Sequence, residues 1–284
     1  VGINTVVAVA VLSNNIVLLI TLARTRKLWN STNAYIASLA AADLLLGIML
    51  IVRNFWIIPE TSWVFHNNEY VCMPIVCLLY VSCLESITCL AMVSLDRYAY
   101  IVWPFWYERH VNKRLITISI ALSWVVCIAF GFLPMRLNKF TTDSGCDPLS
   151  IISREYLLFG MNFYLFAAEV LIAAMYGRIY CVGNHQRKKI EASTGGFARQ
   201  RLNSKADSIA ARWQVIRFLI LVCGTFFLCW MPLQIISILY FTVGTPVIAI
   251  SVGISFAAIN SALNIYILIA MNKTFKAALF GMIC

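Results

Sequence analysis

Seven long apolar segments dominate this sequence and restrict the chain to folds that lie in a lipid bilayer. A helix needs about 20 mostly apolar residues to cross the hydrocarbon core, and such segments occur at about residues 2–23, 33–57, 70–102, 114–134, 152–182, 214–241 and 246–270. Hydrophobic residues make up 61% of the chain and charged residues only 12%, too few charges to cover the surface of a soluble domain. We therefore predict an all-α membrane protein in which residues 1–284 form a single bundle of seven transmembrane helices.

The sequence lacks the patterns of a membrane β-barrel, a transporter or an enzyme. The short alternating apolar segments of outer-membrane barrels are absent, and neither half of the chain repeats the other, as happens in many transporters. The three histidines, His66, His110 and His185, are scattered through loops, so no catalytic or metal cluster is predicted within the spans. We therefore expect no enzyme activity. We also expect no nucleic-acid partner, because the basic residues behind a net charge of +10 usually mark the cytoplasmic face of a membrane protein.

The basic residues lie on one side of the predicted spans. Of the 22 Lys and Arg residues, 18 fall within residues 24–27, 97–114, 178–217 and 273–276. Because loops rich in Lys and Arg remain in the cytoplasm, we predict a multi-pass plasma-membrane protein, surrounded by membrane lipids, with its N-terminus outside and its C-terminus in the cytoplasm. The chain begins at Val1 and not at Met, so we expect that its natural N-terminus has been trimmed.

A short segment, residues 272–283, follows the last span and places Phe275, Leu279 and Phe280 on one helical face. It is too short to span the bilayer, so we predict an amphipathic helix on the inner membrane surface. Cys284 is a candidate for lipidation there, and an ordinary cytosolic thiol is the alternative.

Ionisable residues within a span are costly and therefore mark candidate functional sites. Asp43 is the most informative, because its apolar context places it near the middle of the membrane. Other spans offer it five polar partners: Asn15, Ser86, Asn260, Ser261 and Asn264. Such oxygen ligands suit a sodium ion, a protonation switch is the second interpretation, and a structural hydrogen-bond hub is compatible with both.

Three further charged residues lie in spans. Arg53 either reaches the outer headgroups or faces a ligand. Glu85 and Glu169 have no assigned role, and each could be neutral and hydrogen-bonded within the bundle.

Two cysteines, Cys72 and Cys146, lie on the predicted outer side of the membrane. That compartment is oxidising and permits a disulfide, which would tie the loop before span five over the bundle. Two free thiols are the alternative, and we favour the disulfide.

Short motifs stand at characteristic positions in most of the spans and in the loops between them. They are Asn15, Ser38-Leu-Ala-Ala-Ala-Asp43, Trp63, Cys72, Asp96-Arg97-Tyr98, Pro104, Trp124, Cys146, Tyr176 and Phe226-Phe-Leu-Cys229-Trp230-Met-Pro232. Together, and with Cys72 standing 25 residues before Arg97, they make almost the whole chain similar to the rhodopsin-like (class A) G-protein-coupled receptors.

The resemblance implies a heterotrimeric G protein and an extracellular ligand as partners, and it implies functional residues by position. The residues for G-protein coupling would be Asp96, Arg97, Tyr98, Pro104, Phe105, Tyr176 and Arg212. The activation switch would comprise Ile87, Phe226, Trp230, Pro232 and Asn264. The ligand pocket would be formed by Arg53, Leu79, Tyr80, Cys83, Leu233, Gln234, Ser237, Tyr240, Ile254 and Ala257.

The chain departs from the family pattern at three places. Span seven has Asn264 but lacks the proline and the final tyrosine of the family's NPxxY motif, and Ala168 stands where span five usually has a proline. Arg212 occupies the position of the acid that would hold span six to Arg97. We therefore hypothesise high ligand-independent signalling, and the opposing interpretation is poor coupling. A seven-span decoy, scaffold or transporter-like protein that does not couple is the alternative function.

The predicted pocket also limits the ligand. Residues 246–270 contain no lysine that could hold retinal, and Leu79 stands where amine receptors carry an aspartate. Retinal and a bioamine are therefore disfavoured, and we predict a small neutral or lipid-like ligand, with Arg53 available for an acid group. A peptide remains a further alternative.

Overall fold

The computed structural model describes residues 2–141, 146, 148–192, 221, 224–244 and 246–283. Its helices are α1 (Gly2–Arg24), α2 (Ser31–Ile57), α3 (Pro59–His66), α4 (Glu69–Val102), α5 (Pro104–His110), α6 (Lys113–Gly131), α7 (Pro134–Leu137), α8 (Pro148–Ile151), α9 (Phe163–Ala192), α10 (Gly224–Val243), α11 (Val247–Met271) and α12 (Lys273–Ile283). A 3₁₀ turn covers Arg26–Leu28, and a π-helical segment, Tyr156–Asn162, leads into α9.

Seven of these helices are long and apolar enough to cross a membrane: α1, α2, α4, α6, α9, α10 and α11. The predicted seven-helix bundle is therefore confirmed. Span five was predicted to end at residue 182, and the helix that carries it, α9, continues to Ala192 through a basic, polar stretch that hydropathy alone does not count as part of a span. Most of the predicted start of span six, before residue 224, lies outside the described residues.

Asparagine side chains begin three of the spanning helices. Asn30 accepts a hydrogen bond from the backbone N–H of Asn33 at the start of α2 (3.0 Å), and Asn112 accepts one from Leu115 at the start of α6 (2.9 Å). Asn68 does the same for Tyr70 at the start of α4 (3.0 Å). Each side chain satisfies an N–H that the helix itself leaves without a partner, and so determines where the span begins.

The longest helix, α4, packs against α2, α6 and α9 and forms the centre of the described bundle. Its contact with α6 requires a glycine, because a Cβ on Gly131 would lie 2.5 Å from Val81 Cγ2 and 3.1 Å from the Val81 backbone nitrogen. The two backbones therefore approach more closely here than any side chain would allow.

The last helix, α12, forms where the sequence predicted a short surface helix, and it packs against α1 and α11 at the end of the bundle. Phe275 and Leu279 are buried against Leu18 and Leu22 of α1, whereas Phe280, predicted to share their face, is half exposed. Phe280 follows Leu279 directly and therefore points about 100° away from it around the helix. Cys284 lies outside the described residues.

Candidate functional site

A cavity of about 150 Å³ lies between the helices near the Cys72–Cys146 bridge. Nine of the ten predicted pocket residues line it: Arg53, Leu79, Tyr80, Cys83, Leu233, Gln234, Ser237, Ile254 and Ala257. The prediction was wrong for Tyr240, whose ring instead packs edge-on against Phe241 with centroids 5.1 Å apart. Phe241 lines the cavity, and consecutive residues of a helix point about 100° apart, so Tyr240 faces elsewhere.

One wall of the cavity was missed in the sequence. Leu157, Met161 and Asn162 belong to the π-helical segment before α9 and line the cavity, as does Leu149 of the short helix α8. A π-helical turn rotates the side chains away from the positions that a 3.6-residue period predicts. No pattern in the sequence indicated that this segment would be π-helical.

The disulfide between Cys72 and Cys146 is formed, with the two Cα atoms 5.8 Å apart, and this prediction is confirmed. Cys72 lies in the first turn of α4, so the bridge holds the loop around Cys146 against the bundle. Pro148 and Leu149 follow the bridge directly and line the cavity. The disulfide therefore fixes part of the cavity's cover.

The polar groups of the cavity are few and mostly paired with one another. Arg53 Nη2 donates to Ser251 Oγ at 2.9 Å, which joins α2 to α11. Asn162 Nδ2 donates to Ser237 Oγ at 2.9 Å, between the π-helical segment and α10. Arg53 therefore faces the cavity and is not an isolated residue at the headgroups.

Glu169 and Gln234 form a second polar link between α9 and α10. Gln234 Nε2 donates to Glu169 Oε1 at 2.8 Å, and the Glu169 side chain is almost completely buried. Gln234 lines the cavity, and so does Leu165, one helical turn before Glu169. This places Glu169, which had no assigned role in the sequence, directly behind the cavity wall.

Glu85, the other unassigned acid, lies away from the cavity, where α4 meets α2 and α6. Its Oε1 accepts hydrogen bonds from Ser123 at 2.8 Å and Cys89 at 3.2 Å, and more weakly from Ser38 at 3.4 Å. Trp124 Nε1 in turn donates to Ser38 Oγ at 2.9 Å. These contacts give Glu85 a structural role between three spans.

Asp43 is fully buried at the centre of a polar cluster. Its Oδ1 accepts from Ser86 Oγ at 2.9 Å and from Ser261 Oγ at 2.7 Å, and its Oδ2 accepts from Asn264 Nδ2 at 2.7 Å. The hydrogen bonds described for Asp43 do not include Asn260. Asn15 joins the cluster indirectly, since its Nδ2 donates to the backbone oxygen of Ser261 at 3.1 Å.

The predicted switch residues lie below the cavity. Trp230 lines the cavity floor, and its ring stacks on Phe226 at 5.7 Å. Both pack with Ile87 in one buried cluster that extends to Tyr176. Pro232 lies in α10, two residues after Trp230, and removes one backbone hydrogen bond there. Asn264 is separate from this group and bonds to Asp43.

The opposite end of the bundle carries Asp96 and Arg97, which form an ion pair at 2.7 Å. The Asp96 carboxylate also accepts from Thr32 Oγ1 at 2.7 Å and from Tyr107 OH at 2.6 Å. Burial, followed by the hydrogen bond to Asp96, raises the pKa of Tyr107 above its usual value, so its hydroxyl keeps its proton and donates. Thr32 and Tyr107 carry no motif and were missed in the sequence.

The remaining predicted coupling residues surround this pair. The Tyr98 ring packs edge-on against Trp103 at 5.2 Å, Pro104 begins α5, and the Phe105 side chain is 88% exposed. Tyr176 OH lies 2.5 Å from Ser94 Oγ, which joins α9 to α4. Arg212 lies outside the described residues.

Comparisons with known proteins agree with this architecture. The family model described as "7 transmembrane receptor (rhodopsin family)" matches residues 14–267. The histamine H2 receptor of Homo sapiens is 30% identical over 306 aligned residues, which cover 99% of this chain and 79% of that receptor. The same receptor of Rattus norvegicus is 29% identical over 94% of this chain and 74% of its own length. A D(1)-like dopamine receptor of Oreochromis mossambicus is 26% identical over 87% of this chain and 68% of its own length. This chain therefore belongs to the rhodopsin family of seven-transmembrane receptors.

Proposed function

We propose that this protein binds a small extracellular ligand in the cavity above Trp230 and activates a heterotrimeric G protein at the end that carries Arg97. The observation that carries this proposal is the single buried cluster that runs from Trp230 at the cavity floor through Phe226 to Tyr176. Close-packed side chains move together, not independently. A ligand that displaces Trp230 would therefore bias the packing next to the Arg97 end, as a two-state receptor requires.

The orientation follows from charge and redox chemistry. We propose that the end with the Cys72–Cys146 bridge faces outward, because disulfides persist in oxidising compartments. The Arg97 end then faces the cytoplasm together with most of the Lys and Arg residues, in accord with the positive-inside rule. The N-terminus would lie outside and the C-terminus inside, in the plasma membrane.

The size of the cavity favours a small ligand that contains one ring. A 150 Å³ apolar cavity in another protein holds benzene, and this cavity has a similar volume of about 150 Å³. Its walls are mostly apolar, with Leu79, Leu157 and Ile254 among them. A lipid chain would need more room than this, so we favour a compact ligand over a lipid-like one.

The Arg97 end offers a surface for the G protein. Phe105 is an apolar side chain that is almost fully exposed in α5, the helix that follows α4 at the end where Asp96 holds Arg97. We propose that Phe105 inserts into the G protein, since a large exposed apolar residue commonly anchors a protein interface. The hypothesis of high basal signalling rests on Arg212, which the structure does not describe, and it stays a prediction.

We also propose sodium as the cation for the Asp43 cluster. The carboxylate of Asp43 and the hydroxyl oxygens of Ser86 and Ser261 are the hard ligands that such an ion prefers. Bound sodium would supply a positive charge to balance a carboxylate buried in the membrane. Without an ion, the three donors around Asp43 serve as a structural hub.

Signalling without added ligand, read across all G-protein classes, tests the main proposal. We expect basal activity from the wild-type chain that is lost in Arg97→Ala. Arg136→Ala is the matched control, because Arg136 is exposed next to the disulfide end and should leave signalling unchanged. Wild-type protein that is well expressed yet silent in every channel would contradict high basal activity. Continued silence when a ligand shown to bind the cavity is added would favour the non-coupling alternative.

A further inference from the structure

An acid that the proposed function does not use lies directly behind one wall of the cavity. Glu169 is 1% exposed, and its Oε1 accepts the hydrogen bond from Gln234. Its other oxygen, Oε2, has no hydrogen-bond partner among the residues that the structure describes. A buried carboxylate with one oxygen unsatisfied is costly, and a positive charge placed nearby would stabilise its ionised form.

The acid also determines what Gln234 presents to the cavity. An ionised carboxylate can only accept hydrogen bonds, so ionised Glu169 holds the NH₂ group of Gln234 towards itself, in the orientation that the structure shows. The amide oxygen then lies on the other side of the group, and no described residue donates a hydrogen bond to it. Gln234 lines the cavity, which therefore contains a hydrogen-bond acceptor with a negative charge directly behind it.

We propose that this pair recognises a protonated amine on a small ring-bearing ligand. The ammonium N–H donates to Gln234 Oε1, and the Glu169 carboxylate balances its charge through the amide. Gln234 contacts the ligand, and Glu169 is a positioning residue. This inference rests on the proposed ligand cavity and identifies the class of ligand that enters it. It replaces the expectation of a neutral ligand, which rested on Leu79 and took no account of the link between Glu169 and Gln234.

The other charge in the cavity agrees with this placement. Arg53 lies on the wall formed by α2 and α11, where it donates to Ser251. Its positive charge repels an ammonium from that wall and leaves the α9–α10 wall as the favourable position. Span three offers no acid at the cavity, because Leu79 occupies the relevant wall position. The amine is therefore recognised from α10.

A purely structural role is the competing explanation, since the pair also joins α9 to α10. A pair that only joins the two helices would not affect which ligands bind, whereas a pair that recognises an amine would determine the preference for amines over alcohols. An ammonium can only donate hydrogen bonds, whereas a hydroxyl both donates and accepts. In Glu169→Gln the Gln234 amide is free to adopt either orientation. An alcohol can hydrogen-bond to the amide in both orientations, whereas an ammonium can bond only when the amide oxygen faces the cavity.

The experiment measures binding to the purified full chain in lipid nanodiscs, without G protein, by calorimetry and thermal shift. The probes are matched pairs that differ only in amine or hydroxyl: phenethylamine and 2-phenylethanol, tyramine and tyrosol, tryptamine and tryptophol. We expect at least one amine to bind about 10-fold or more tightly than its alcohol, because hydrogen bonds to charged groups exceed neutral ones by this order. Glu169→Gln should reduce that ratio to about one, and Gln234→Leu should weaken both members of the pair.

Glu155→Gln is the matched control, because it removes the same charge from an exposed site just before the π-helical segment. It should leave the amine-to-alcohol ratio unchanged. Failure of every amine to bind, an alcohol that binds as tightly as its amine, or an unchanged ratio in Glu169→Gln would each overturn the proposal. These outcomes are separate from coupling, because Arg97→Ala signalling is measured in cells without any ligand.

Discussion

Two hydrogen bonds from outside α4 hold the Asp96 carboxylate, and we expect their removal to raise basal signalling. Tyr107 OH donates from α5 at 2.6 Å and Thr32 Oγ1 from α2 at 2.7 Å, while Arg97 supplies the remaining donors. Both donors fix the carboxylate in the position where it pairs with Arg97. Under the proposed function, Arg97 leaves this pair to meet a G protein, so each bond would stabilise the resting state. Tyr107→Phe and Thr32→Val each remove one hydroxyl with little change in shape.

The expected magnitude follows from the nature of the acceptor. A hydrogen bond to a charged group contributes about 1.5–3 kcal/mol, and we take about 1.5 kcal/mol because Tyr107 is only partly buried. Since about 1.4 kcal/mol corresponds to a factor of ten, each variant should shift the equilibrium towards the active state about tenfold. If the active state is about 1% populated, it would rise to about 10%. The raised pKa of Tyr107 keeps its hydroxyl protonated at neutral pH, so the difference from Phe should not vary across the physiological range.

The assay is ligand-free signalling normalised to surface expression, in the G-protein channel that Arg97→Ala silences. Tyr70→Phe is the matched control, because Tyr70 is 85% exposed near the disulfide end and loses the same hydroxyl without touching Asp96. Thr32→Val tests the same effect at a buried residue, which cannot itself contact a G protein, so a change in signalling there cannot come from a lost G-protein contact. Basal signalling within about twofold of wild type in both variants, together with a clear rise in Asp96→Asn, would refute the reasoning, since a tenfold effect is expected for each bond.

Three further predictions concern stability and ion binding. Gly131→Val should lower the free energy of unfolding by about 1–3 kcal/mol through overpacking against Val81, whereas Gly177→Ala, with nothing within 4 Å of the added Cβ, should not lower the Tm. Cys72→Ser should lower the Tm measured without reductant, and wild-type protein treated with reductant should approach the same value, because both lose the bridge to Cys146. Replacing choline by sodium at constant ionic strength should raise the Tm of the wild type but not that of Asp43→Asn, and a wild type that does not respond would leave Asp43 as a structural hub.

The seven spans could be predicted from the sequence because each is a long apolar segment, and that signal depends on composition more than on tertiary contacts. Their ends could not be predicted equally well. Residues 183–192 continue α9 although they are polar and basic, and a hydropathy pattern records where lipid ends, not where a helix ends. The π-helical segment Tyr156–Asn162 is also invisible in the pattern, because it depends on packing against neighbouring helices.

Most of the cavity residues could be predicted because a helix is rigid and has a constant number of residues per turn. Once a motif fixes one residue of a helix, the residues that share its face follow by counting. Counting from Trp230 placed Leu233, Gln234 and Ser237 on the cavity, and the same count failed only at Tyr240. The link between Glu169 and Gln234 could not be predicted in this way. It depends on how two helices are rotated relative to each other, and neither residue belongs to a motif that fixes this angle.

The departures in span seven change which helices can connect the cavity to Arg97. The family's final tyrosine would stand at Leu268, which is buried with Leu22 and Phe275 on the side of α1 and α12. A leucine cannot hydrogen-bond to Tyr176, whose hydroxyl instead lies 2.5 Å from Ser94 on α4. Ser94 is three residues before Arg97, so it lies on nearly the same helical face. Under the proposed function, a change at Trp230 would therefore reach Arg97 through the apolar cluster to Tyr176 and from there through α4. This route does not require the missing motif, so the degenerate span seven does not by itself argue against the proposed coupling.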